Sequence, residues 1–315
     1  MSEEAERSRW SILRSVLAIV ILATFLIWLV LYIDSHRSNF AKLLHVSPRE
    51  LAGILALAFL SMGIRGFFTI TLTAPLGARV KVAEGFLISM ISTIGNYSLP
   101  MRGGIGLRAL YLKKKHSIAI RDFAKISLAR FGTIFFVDSI LGLTALFLLW
   151  EKEGSLPGAI FSVLVSALFL SALIQISPVL PVGGRFCVFS RFMKKGAGLL
   201  GHEGVRKRLI FTAFANSSIR FCWILLCFHA LSSGLSFYQG LLISSLIPLS
   251  MMVTLTPANL GVTEGLLIYV TGIFHISPSV AIMCSLLMRM SAIFWALVMI
   301  PFIWKPLTAI RNYRR

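Results

Sequence analysis

Pro100-Met101-Arg102-Gly103-Gly104 interrupts one apolar region of this chain, and Pro257-Ala258-Asn259-Leu260-Gly261 interrupts another. A proline followed four residues later by glycine breaks a helix, because the first removes a backbone donor and the second frees the backbone. Each break is flanked by arginines in the same order: Arg65 and Arg130 around Pro100, Arg220 and Arg289 around Pro257. Corresponding intervals agree to within two residues. The context repeats too, as Ile64-Arg65 against Ile219-Arg220 and as Arg130-x-x-x-Ile134-Phe135 against Arg289-x-x-x-Ile293-Phe294. A unit that occurs twice, with arginines and broken helices in apolar surroundings, points to a membrane transporter built from two related halves.

Composition fixes the class. The chain is 57% hydrophobic and 14% charged, with a mean hydropathy of +0.85. A soluble domain of this size cannot hide so much apolar surface. Uncharged runs at Ser15–Ile33, Leu156–Gly184, Phe221–Thr263 and Gly265–Met288 are long enough to span. The net charge of +19 does not imply nucleic acid, since the basic residues gather in loops and the tail, as the positive-inside rule requires. Cys187, Cys222, Cys227 and Cys284 form no Cys-x-x-Cys pair and indicate neither a disulfide framework nor a metal site.

The fold expected is an all-α polytopic membrane protein with six full spans and two broken, re-entrant hairpins arranged as an inverted repeat. The spans are Trp10–Ile33, Leu51–Thr73, Ile126–Trp150, Leu156–Leu180, Leu209–Leu231 and Val280–Ile303, and the hairpins are Ala83–Leu112 and Phe237–His275. Trp10–Ile33 is too long for a signal-peptide core and reads as a retained span. Charge parity sets the topology. The loop holding Arg108, Lys113, Lys114, Lys115 and Arg121, and the loop holding Arg185, Arg191, Lys194 and Lys195, both belong inside, as do the two termini. That parity requires the first hairpin to enter and leave on one side. Residues 1–150 and 151–315 then form two halves of one membrane domain, inverted relative to each other, a design for alternating access.

Buried arginine is costly in a span, so its presence calls for a reason. Arg65, Arg220 and Arg289 either hold a structural partner or form a cationic pocket, and Arg130 either joins them or snorkels to the interface. Asn96, Pro100, Gly104, Pro257 and Gly261 mark the breaks, where freed backbone N–H groups can hold an anion. Arg102 and Asn259 add a cation and an amide there. Asp138 and Glu264 are the intramembrane carboxylates, either counter-ions or proton carriers. The sequence holds no phosphate-binding P-loop, zinc-protease motif or nucleophile elbow. No catalytic residue, metal or cofactor is expected.

Asn96-Tyr97-Ser98-Leu99-Pro100-Met101-Arg102-Gly103-Gly104-Ile105-Gly106-Leu107-Arg108 resembles the Asn…Pro-x-Arg-x-Gly-Glu-x-x-Arg signature of the lysylphosphatidylglycerol synthase transmembrane-region family. Pro257-x-x-x-Gly261-x-x-Glu264 resembles its second signature. The resemblance implies a flippase-like domain, like the membrane half of the multiple peptide resistance factor. Arg102, Arg108, Asn259 and Glu264 would be substrate-binding residues beside Arg65, Arg220 and Arg289. One position departs: Ile105 stands where the signature has glutamate, which leaves a more purely basic pocket. The expectation is therefore a non-enzymatic lipid flippase of the cytoplasmic membrane. Its substrate would be an anionic phospholipid or a polyprenyl-phosphate-linked sugar, and some relatives imply a glycosyltransferase or lipid-modifying partner. Lysine transfer is not expected. The alternatives are an integral-membrane glycosyltransferase or its accessory subunit, and a transporter of a small soluble anion.

Overall fold

A computed structural model describes residues 46–98, 103–153, 157–176, 198–252, 256, 259–299 and 301–302, with isolated positions between 31 and 45. Among these residues the chain is all helical. In order the helices are α1 (Pro48–Thr73), α2 (Val82–Ser98), α3 (Gly103–His116), α4 (Ile120–Glu153), α5 (Gly158–Ile176), α6 (Glu203–Ala230), α7 (Phe237–Ser250), α8 (Val262–Ile273) and α9 (Pro278–Val298).

Local chemistry explains where several of them start. Ser47 caps α1: its Oγ accepts from Glu50 N at 3.3 Å, and the Glu50 carboxylate accepts from Ser47 N at 3.0 Å. Pro48 occupies the first helical position, where no N–H is needed. Ser236 and Gln239 repeat the same reciprocal cap at α7. Gly261 opens α8 at φ 84, a backbone angle that other residues adopt only under strain.

Among the described residues five helices are long and apolar enough to cross a membrane: Pro48–Leu76, which runs through α1, then Ile120–Glu151 in α4, then α5, α6 and α9. They coincide with five of the six expected spans. The sixth, Trp10–Ile33, lies outside the described residues apart from Leu31. The two hairpins are pairs of shorter helices. At about 1.5 Å per residue, α3, α7 and α8 reach only about 18–21 Å, short of a hydrocarbon core of roughly 30 Å. In the first pair the backbones nearly touch, since a Cβ on Gly95 would stand 2.7 Å from Gly104 Cα. Proline or any branched residue there would force α2 and α3 apart.

The breaks differ in detail from the sequence expectation. Asn96 lies within the last turn of α2, and Gly104 is already helical in α3. Helix α7 ends at Ser250, after Pro248 in its final turns, so the second interruption begins well before position 257. Pro100, Arg102 and Pro257 lie outside the described residues.

Helix α1 packs on α2, α6 and α9, and α4 packs on α5, α6 and α7. Helix α9 also packs on α2, α6 and α8. Helix α5 stands at the periphery. It buries Ile160, Leu164, Ala167, Ser171 and Gln175 and exposes Phe161, Val163, Phe169, Leu170 and Leu173. An apolar face of that extent suits lipid rather than water.

Candidate functional site

One cavity of about 270 Å³ lies among these helices. All four repeated arginines line it: Arg65 from α1, Arg130 from α4, Arg220 from α6 and Arg289 from α9. Arg108 from α3 is a fifth. The rest of the wall mixes hydroxyl and amide groups with apolar side chains, including Asn96, Asn216, Asn259, Ile105 and Trp223.

The arginines divide into two kinds. Arg220 is bound on three sides. Its Nη2 donates to Asp138 Oδ1 at 2.5 Å, its Nε to the Ser244 carbonyl at 2.8 Å, and Nη2 again to Ser217 Oγ at 3.2 Å. It thereby ties α6 to α4 and α7. Arg289 Nε donates to Glu264 Oε1 at 2.8 Å, and the same carboxylate oxygen accepts from Ser285 Oγ at 2.6 Å. The other oxygen of Glu264 accepts the Gly261 N–H at 2.7 Å. One carboxylate thus caps α8 and anchors α9. Both acids are counter-ions in this arrangement. Glu264 stands behind Arg289 rather than in the cavity wall, and its oxygens are all engaged.

Arg65, Arg108 and Arg130 have no carboxylate partner among the described residues. Arg65 donates to Ser61 Oγ at 3.2 Å, one helical turn back. The guanidinium of Arg108 lies 5.2 Å from the Phe123 ring centre, and that of Arg130 lies 5.2 Å from Phe68. Arg130 therefore faces inward across an aromatic ring and does not snorkel. Among the described residues Arg108 Nε, Arg130 Nε and the Trp223 indole N–H are buried donors with no acceptor. Asn96 Oδ1 and Asn259 Oδ1 are buried acceptors with no donor. Asn259 spends its other end on the Ser250 carbonyl at 2.6 Å, which fixes the amide's orientation. Buried polar atoms of native proteins are nearly always satisfied, and these five unsatisfied ones belong to residues that line the cavity.

Sequence reasoning did not find the polar face of α2. Ser89, Ser92, Thr93 and Asn96 follow the helical spacing of one face and all line the cavity. The signal was present in that spacing. It was also present in the polar residue four positions before three of the arginines: Ser61, Asn216 and Ser285. Trp223, three residues after Arg220, carried no comparable flag.

No curated protein sequence matches the chain. A model of a protein family does: that described as the lysylphosphatidylglycerol synthase TM region aligns with residues 12–300. The match takes in every helix from α1 to α9, both interruptions and all five cavity arginines, and so this chain belongs to that family of lipid-related membrane proteins.

Proposed function

We propose that the chain is a flippase of the cytoplasmic membrane that moves an anionic lipid between leaflets. The headgroup enters the arginine-lined cavity and the acyl or prenyl tails remain in the bilayer. The observation that carries this reading is the convergence of five arginines from five helices on one cavity with, among the described residues, two carboxylates paired to them. Guanidinium groups suit phosphate because they stay charged and donate paired hydrogen bonds.

The two halves work, on this reading, as an inverted repeat in which α1 to α4 correspond to α6 to α9. Packing supports that correspondence. Contact of α1 with α2 has its counterpart in α6 with α7, α2–α3 in α7–α8, and α3–α4 in α8–α9. Across the halves, α4–α7 answers α9–α2, and α4–α6 answers α9–α1. Helix α5 would then answer the span expected at Trp10–Ile33. The two termini lie on the cytoplasmic side, and the chain transports rather than transforms its lipid.

Proteoliposomes test this directly. Vesicles carrying tail-labelled phosphatidylglycerol or phosphatidic acid are exposed to a quencher that cannot cross the membrane. Vesicles with the protein should lose the protected half of the signal, and protein-free vesicles should keep it. Arg65→Gln and Arg130→Gln should weaken headgroup affinity about ten- to a hundredfold, the worth of one charge-assisted hydrogen bond. Equal protection with and without the protein would overturn the proposal.

A further inference from the structure

The cavity holds more positive charge than a singly charged headgroup can answer. Five guanidinium groups line it and two carboxylates pair with two of them. The remaining three belong to Arg65, Arg108 and Arg130, whose contacts among the described residues are one hydroxyl and two aromatic rings. None of those contacts carries a negative charge. Arg108 is only 6% exposed, so water does little to screen it. Like charges brought together at low dielectric repel strongly, and buried charge is retained where it is paired. Arg108 Nε, Arg130 Nε and Trp223 Nε1 are buried without an acceptor among the described residues.

We propose that this cavity takes a phosphate group bearing two or more negative charges, a phosphomonoester or a diphosphate, in preference to the singly charged phosphodiester of common phospholipids. The inference rests on the reading of the cavity as a headgroup site and narrows it. A phosphodiester offers two unsubstituted oxygens and one charge. A phosphomonoester offers three oxygens and close to two charges near neutral pH, because its second proton leaves at about pH 6. Three oxygens also match three separate guanidinium groups, each free to donate a charge-assisted hydrogen bond. Ile105 belongs to the same economy of charge. It lines the cavity where a carboxylate would cancel one of the three cations.

The full chain in neutral detergent is titrated with short-chain phosphatidic acid, with phosphatidylglycerol of the same chain length, and with inorganic phosphate. Binding is read by the shift in unfolding temperature and by native mass spectrometry. At pH 8 phosphatidic acid should bind at least about tenfold tighter than phosphatidylglycerol, the effect of one further charge-assisted contact. The preference should shrink toward pH 5.5 as the phosphomonoester gains its proton. The titratable groups around the ligand are the five lining arginines and Tyr97, with the Asp138 and Glu264 carboxylates behind Arg220 and Arg289. Ile105→Glu should reduce the preference and leave the protein folded. Equal affinity for the two lipids at pH 8, with Arg130→Gln weakening both, would overturn the charge preference and leave the headgroup site standing. Inorganic phosphate binding as tightly as phosphatidic acid would support the doubly charged ligand and overturn a lipid as its source. Failure of all three to bind would overturn both readings.

Discussion

Two arginines equivalent by sequence repeat behave differently at the scale of the residue. Arg220 is paired with buried Asp138 and Arg65 is not. Arg220→Gln strands a carboxylate that is 1% exposed, and breaking such a pair from one side costs about 3–5 kcal/mol. Thermal unfolding in detergent should show that loss, and the double variant Arg220→Gln with Asp138→Asn should recover most of it. Arg65→Gln removes a cation with no carboxylate partner among the described residues, so the empty protein should unfold no earlier than the parent while anionic lipid stabilises it less. The arginines were legible in the sequence because buried charge is too expensive to be incidental. Their partners were not. Asp138 lies far from Arg220 in sequence, and which acid meets which arginine depends on how α4 and α6 are rotated against each other. The hydroxyls of α2 were hidden for another reason. Ser92 and Thr93 donate to the carbonyls of Ile88 and Ser89, the habit of small hydroxyls in any apolar helix, and nothing in their identity separates a cavity wall from a lipid face.

Among the elements, the short helices owe their placement to their ends. Gly261 holds φ 84 at the start of α8 while its N–H bonds Glu264. Gly261→Ala keeps the donor but strains the backbone, and should cost about 1–3 kcal/mol in unfolding experiments. Ser47→Ala should cost α1 about 1 kcal/mol, as the loss of an N-cap does elsewhere. Existence of the long helices followed from uninterrupted apolar length, and α1, α4, α5, α6 and α9 answer five of the six expected spans. Position of the second interruption did not follow, because Pro248 sits in the uncharged run Phe221–Thr263 with no glycine four residues after it. Proline stands there inside the last turns of α7 and leaves the Ser244 carbonyl without its helical donor, a place that Arg220 Nε takes at 2.8 Å. A proline signals a limit to a helix, but the residue at which the helix stops depends on what its last carbonyls find.

For the whole molecule, topology is the decisive measurement. Single cysteines at Lys113 and Arg191 should react with an impermeant thiol reagent only from the cytoplasmic side, and one at Lys152 only from the opposite side. Labelling of Lys113 from outside would make α2 a complete crossing and end the inverted-repeat reading. The repeated landmarks were legible because they recur in order, but the packing of α1–α4 against α6–α9 was not. The two ion pairs bear on this unequally. Glu264–Arg289 closes within the second half, whereas Asp138–Arg220 joins α4 of the first half to α6 of the second. If α1–α4 rock against α6–α9, as the proposed function requires, they must either rupture a buried ion pair or turn about it. On the alternating-access proposal a hinge at that point needs no flexible linker: its fulcrum would be a carboxylate and a guanidinium, and displacement would grow with distance from them. Spin labels at the far ends of α4 and α6 should therefore separate on lipid loading, while the distance between helices at Asp138 stays constant.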